Sequence, residues 1–260
     1  MNPLLYNYFI DNTQENKIDL TILCLLHELR IVSRTQLADL LALDFVLANK
    51  SIDRHIRKLF NQELLEKFSF GKQVCYYLTK QGHDSIGGYY TIPKVPEYNL
   101  SHHLAINDYL IKTLVIVHNH PNLKFGLSER RQVFETKDLA KNNKGKKYFV
   151  PDFILRFRDK RGFEINWSFE IELTMKTRRR YWQGIFPKYI RELKENSSSR
   201  LIYVTPSELI KEELERFRLL FIQKEGERNR ALFQRLHIFS ANNFEEKFSF
   251  LIQQDSEIND

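Results

Sequence analysis

Apolar residues recur every three or four positions across 17–30, KIDLTILCLLHELR, where Ile18, Ile22, Leu25, Leu26 and Leu29 mark one face of a helix. Ser33-x-x-Gln36 reads as a capping box, so a second helix is expected to start there. A third is expected over about 46–62, with Ile52, Ile56, Leu59 and Phe60 turned inward. The period then shortens: Leu64–Phe68, a Gly71-Lys72 turn and Val74–Thr79 predict a β-hairpin. Gly87-Gly88, Pro93 and Pro96 interrupt periodicity across 83–100. The expected organisation is therefore a first domain over 1–86, a linker over 87–100 and a second domain over 101–260.

In the second part, 101–118 predicts a helix with Ser101 as N-cap and Leu104, Tyr109, Leu110, Thr113, Leu114 and Val117 on its packed face. Residues 123–135 read as a strand, and KDLAKNNKGKK as a flexible basic loop. Tyr148–Lys176 then alternates as two strands: Phe153, Leu155 and Phe157 share one face, as do Trp167, Phe169, Ile171 and Leu173. A helix from Lys176 to about Glu195 carries Tyr181, Ile185, Tyr189 and Leu193 on one side. A buried strand Leu201–Thr205, a helix from Ser207 to about Arg228 and an edge strand Leu236–Phe239 complete an α+β fold.

Composition changes this picture little. Hydrophobic residues make up 42% and charged residues 28%, as in an ordinary globular chain. No apolar run approaches bilayer length and no signal-peptide pattern opens the chain, so a cytoplasmic protein without membrane insertion is expected. Cys24 and Cys75 lie inside apolar periodic stretches and suggest neither a disulfide nor a zinc framework. Charge is more informative, because the net +7 is uneven. Residues 1–90 hold 10 Lys/Arg and 10 Asp/Glu, whereas 124–194 hold 19 Lys/Arg against 9 Asp/Glu. A basic field of that kind attracts a polyanion.

Inside that basic segment sits an acidic constellation. Strand alternation sets Asp152, Glu170 and Glu172 opposite the apolar faces, so pairing of the two strands brings three carboxylates to one side of a sheet. Crowded carboxylates raise one another's pKa unless a cation lies between them, and hard oxygen ligands suit Mg²⁺ or Mn²⁺. Arg178, Arg179 and Arg180 follow at a helix start, where positive charge opposes the helix dipole and points to an anionic ligand. The third helix carries its own basic stripe, Lys50, Arg54, Arg57 and Lys58. His118-Asn119-His120, before Pro121, reads as a helix end rather than as a metal pair.

Three resemblances attach to these stretches. Three helices and a hairpin closing on Tyr76–Gly82, YYLTKQG, resemble a winged helix-turn-helix over about 17–85. The resemblance implies a third helix in the major groove and a wing over the backbone, with Lys50, Arg54, Arg57, Lys58 and, on the wing, Lys72 touching DNA; other winged helices only mediate protein contacts. Pro151-Asp152, Glu170 and Lys176, in an α-β-β-β-α-β order, resemble the PD-(D/E)XK nuclease superfamily, with Glu172 standing where its lysine is expected. His103, Asn107 and Asp108 resemble the opening of the replication-relaxation family.

The two parts together resemble replication-relaxation proteins and MOBC-class plasmid relaxases. That likeness implies an endonuclease, dependent on Mg²⁺ or Mn²⁺, that nicks one strand at a transfer-origin-like site. Asp152, Glu170 and Glu172 would be its metal ligands and Lys176 its charge stabiliser, with a coupling ATPase and accessory mobilisation proteins as partners. Three rivals stand beside it: a catalytically inactive plasmid or phage DNA-binding regulator of replication or transcription, a restriction- or repair-type double-strand endonuclease, and a transposase endonuclease subunit, in which the winged helix would follow the nuclease domain rather than precede it.

Overall fold

The computed structural model describes residues 2–10, 15–95, 99–142, 149–225 and 229–255, with backbone alone over 138–142. The basic stretch over 143–148 and Pro96 of the expected linker lie outside the described residues. The chain is mixed α+β and forms two compact units. One runs to His118 and adds Arg130–Asp138; the other takes Asn119–Glu129 and the chain from Leu139 on.

In the N-terminal unit, α1 (Lys17–Leu29), β1 (Val32–Ser33), α2 (Arg34–Ala42) and α3 (Asn49–Asn61) precede a hairpin of β2 (Leu65–Phe70) and β3 (Gln73–Leu78). β1 adds to the hairpin, giving an antiparallel sheet of order β1-β3-β2. The capping box forms as its spacing predicts: Gln36 N–H donates to Ser33 Oγ at 3.2 Å and Ser33 N–H to Gln36 Oε1 at 3.1 Å. Gly71 turns the hairpin at φ +58°, a region open to glycine at no steric cost. A short helix, α4 (Lys80–Ser85), follows, and its Gly82 packs so tightly that a Cβ there would lie 2.0 Å from the Leu64 carbonyl oxygen.

The unit continues beyond the boundary expected at 87–100. α5 (Leu100–Val117) belongs to it, burying Leu100 and Leu104 with Ile31 and Cys75. Asn99, in the left-handed conformation, is its N-cap rather than Ser101. Phe60 is not inward: it is 41% exposed, with the Lys67 ammonium over its ring.

The C-terminal unit is a five-stranded sheet of order β4-β5-β6-β7-β8, from β4 (Leu123–Ser128), β5 (Phe153–Arg158), β6 (Glu164–Ile171), β7 (Arg200–Thr205) and β8 (Leu236–Ser240). The first three strands are antiparallel and the last three parallel. The expected strand over 123–135 is cut short: after Ser128 the chain becomes α6 (Glu129–Asn142), so a helix intervenes between the first two strands of the expected α-β-β-β-α-β order.

Both sheet faces are covered. Phe153, Phe169 and Trp167 pack with Phe248 of α11 (Phe244–Gln254). On the other face Leu201 and Tyr203 meet Tyr181, Phe186, Tyr189 and Leu193, and Phe217 and Phe221 of α9 (Glu208–Glu225). That first group of aromatics comes from a broken helix: one turn, α7 (Arg178–Arg180), a π-helical turn over Tyr181–Ile185, then α8 (Phe186–Glu195). A further short helix, α10 (Arg230–Phe233), precedes β8. No described helix is long and apolar enough to cross a membrane.

Candidate functional site

Register decides which side chains meet. Phe153 pairs with Phe169, so Asp152 stands opposite Glu170 one step further along the same antiparallel ladder. The backbone confirms the alignment, since Asp152 N–H donates to the Phe169 carbonyl at 2.9 Å. Glu170 is also the lateral neighbour of Tyr203 on β7, which places both on the face covered by α8. The carboxylates expected on one side of the sheet are there, but under a helix.

That burial sets the electrostatics. Asp152 is pushed up to about 8, first by burial and then by the Glu170 charge, against a hydrogen bond from Ile171 N–H at 2.6 Å that favours the ionised form. Glu170 is raised as well, chiefly by burial, although Lys188 Nζ lies 3.3 Å from its Oε1. The Glu129 carboxylate, at the start of α6, adds to the repulsion on both. A carboxyl held near 8 exchanges its proton close to neutral pH, as an acid–base group must.

Glu172 makes a different set of contacts. Its Oε1 lies 2.8 Å from Lys176 Nζ and its Oε2 accepts from Tyr203 Oη at 3.1 Å; Tyr181 Oη is 3.3 Å from Tyr203 Oη. Two carboxylates therefore oppose each other while the third is held by a lysine and a tyrosine. Among the described residues no group of three His, Cys, Asp or Glu side chains is arranged to hold a metal ion. As a donor set, Asp152 and Glu170 still fit a hard divalent cation, because a raised pKa in a facing pair is relieved by positive charge between them.

The other expected residues are distributed elsewhere. Arg178 stacks its guanidinium 4.0 Å from the Trp182 ring centre and Arg179 donates to Gln183 at 2.9 Å. With Phe221 and Lys224 they line a groove of about 290 Å³, and Arg180 is exposed. His103, Asn107 and Asp108 belong to the N-terminal unit and hold α5 in place. His103 Nε2 lies 3.0 Å from the Ile31 carbonyl, Asn107 Nδ2 donates to the same oxygen at 2.9 Å, and Asp108 accepts from Gln36 Nε2 at 2.6 Å. On α3, Lys50, Arg54 and Arg57 are exposed, as is Lys72 at the hairpin turn. Lys58 is exposed as well, with its ammonium 2.5 Å from the nearly buried Asp19, which also bonds His55 at 2.7 Å.

Lys188, Glu129 and Tyr203 were missed by the pattern of the sequence. Lys188 offered one signal, a basic residue among the apolar positions Tyr181, Ile185 and Tyr189 of its helix. No protein-family model matches the chain, and no curated protein matches it.

Proposed function

We propose that the chain is a metal-dependent phosphodiesterase joined to a DNA-docking module. More narrowly, it is a PD-(D/E)XK-like nickase of the plasmid relaxase type, carrying a winged helix at its N-terminus. The observation that carries the reading is the facing pair Asp152 and Glu170, with Asp152 pushed up to about 8 at the edge of a β5–β6 ladder. The parallel β6–β7 step through α8 supports it. The helix–strand–helix–helix–hairpin order of the N-terminal unit, with Arg54 and Arg57 exposed on α3, supports the docking part.

In this reading Asp152 and Glu170 hold Mg²⁺ or Mn²⁺. Such an ion, when bound, lowers the pKa of a water and offsets charge on the leaving oxygen. Lys188 offsets the charge of Glu170, and Lys176 holds Glu172 in place beside it. Asp152, protonated near neutral pH in the absence of the ion, gives up that proton on binding it.

The test is conversion of supercoiled plasmid to nicked circles in Mg²⁺, Mn²⁺ or EDTA. Activity with either ion is expected to fall by about 100-fold or more in Asp152→Ala and Glu170→Ala. Linear product in place of nicked circles would favour the restriction- or repair-type enzyme. A second reading, a DNA-binding regulator with a decayed site, is favoured by the two lysine–carboxylate pairs that occupy the acidic face. Supercoils left intact under every condition, with duplex binding abolished by Arg54→Glu and Arg57→Glu, would establish that alternative.

A further inference from the structure

A second candidate site lies wholly within the N-terminal unit. A cavity of about 710 Å³ opens between the end of α1, the Tyr89–Lys94 segment and the first turns of α6. Small-ligand sites commonly have roughly this size, on the order of 300–1,000 Å³. Four cations line it, Arg30, Lys94, Arg130 and Lys137, and no carboxylate does among the described residues. Its aromatic wall carries ring surface open to solvent: Tyr89 is 43% exposed and Phe134 45% exposed, their centres 5.1 Å apart.

Lys94 and Lys137 stand exposed at the rim, whereas the two arginines are held by the fold. Arg130 is buried, its guanidinium 4.9 Å from the Tyr90 ring centre and fixed by the carbonyls of His27 and Thr91. Arg30 closes α1 with φ +64°, a backbone conformation that a side-chain-bearing residue rarely adopts. Burial, and next the charge of Arg30, push Arg130 down to about 10, while the Glu28 carboxylate acts in the other direction.

We infer that this cavity binds a nucleotide, its phosphates on Arg30, Lys94, Arg130 and Lys137 and its base against Tyr89 and Phe134. Cations supply charge, and exposed rings supply a stacking surface that tolerates any base. The same chemistry is offered by a free nucleotide and by one residue of a single strand, and the site takes the shared unit. The inference does not depend on cleavage at Asp152.

Calorimetric titration of the full chain in EDTA tests it, with ADP, the oligonucleotide dT8 and inorganic pyrophosphate as probes. ADP or dT8 is expected to bind. Tighter dT8 identifies the strand as the source, and ADP at least as tight identifies the free nucleotide. The exposed pair Lys94→Glu with Lys137→Glu should weaken binding tenfold or more, while Lys94→Arg with Lys137→Arg retains it. Phe134→Ala should weaken ADP but leave pyrophosphate unchanged. The inference is overturned if no probe binds or if charge reversal leaves affinity intact. It also fails if pyrophosphate matches ADP and Phe134→Ala has no effect. EDTA keeps cleavage silent, so these results stand apart from plasmid nicking.

Discussion

Each compact unit holds a cluster of charged groups around a carboxylate, Glu28 in one and Glu170 in the other, and the two are solved in opposite ways. In the N-terminal unit Glu28 and Arg131 are almost inaccessible, yet every charge meets a partner. Arg131 lies 3.3 Å from Glu28 and donates to Tyr90 Oη and Tyr89 Oη at 3.1 Å each; Tyr8 Oη donates to Glu28 at 3.0 Å. Burial works against the Arg131 cation, but Glu28 and the tyrosines outweigh it and hold its pKa above the usual value. In the C-terminal unit two carboxylates face each other and both are raised. The first cluster has its counter-charge built in and serves as structure. The second lacks part of its counter-charge, and that shortfall is what a cation or a proton fills.

The comparison breaks most visibly at Arg131. Arg131→Met strands the Glu28 carboxylate in the interior, and removal of one partner of a buried pair costs about 3–5 kcal/mol. Urea unfolding should show a loss of that order. A loss below about 1 kcal/mol would mean that the pair is wetter than its burial implies and that the contrast between the clusters is overstated.

The unequal legibility of the two clusters has a physical origin. Strand alternation is local, so parity alone put Phe153, Leu155 and Phe157 on one face and Asp152 with Glu170 on the other. The capping box at Ser33 and Gln36 is equally local. Lys188 is not: its meeting with Glu170 depends on α8 crossing that face of the sheet, which no spacing encodes. Arg131 is the harder case, since an arginine reads as surface until its partner 103 positions earlier is known. Residues 129–142 escaped for a related reason. Apolar Val133 and Phe134 are themselves half exposed, so they leave no clear helical stripe after Ser128.

His27 makes the balanced cluster pH-dependent. Its Nε2 accepts from the backbone N–H groups of Tyr89 at 3.1 Å and Tyr90 at 3.3 Å, so the ring proton sits on Nδ1, 2.7 Å from Tyr8 Oη. Burial, followed by the charges of Arg130, His83 and Arg131, lowers its pKa to about 3. The folded value lies below the unfolded value of about 6.5. The stability His27 lends is therefore complete above about 6.5 and drains as pH falls toward 3. Unfolding free energy should drop by roughly 2 kcal/mol from this group by pH 5, at about 1.4 kcal/mol per pH unit inside that window. In His27→Gln, whose amide oxygen still accepts but does not titrate, the slope should flatten. An unchanged slope would assign the acid sensitivity to carboxylates instead.

The smallest effect is also the one with the most diagnostic sign. Asp152→Asn keeps the shape and the capacity to accept from Ile171 N–H while removing the charge that opposes Glu170. In EDTA at neutral pH it should stabilise the chain by at least about 1–2 kcal/mol, because the buried Asp152 carboxyl must take up a proton to fold whereas the amide needs none. The N-terminal cluster behaves in the reverse sense, since Glu28→Gln takes the counter-charge from Arg131 and must destabilise. Excess Mn²⁺ should then raise the wild-type melting temperature and leave Asp152→Asn nearly unmoved, because linkage stabilises only the form that holds the ion. If Asp152→Asn destabilises in EDTA, the facing carboxylates are already compensated by Lys188 and the ladder bonds. The C-terminal cluster would then be structural in the same sense as the N-terminal one.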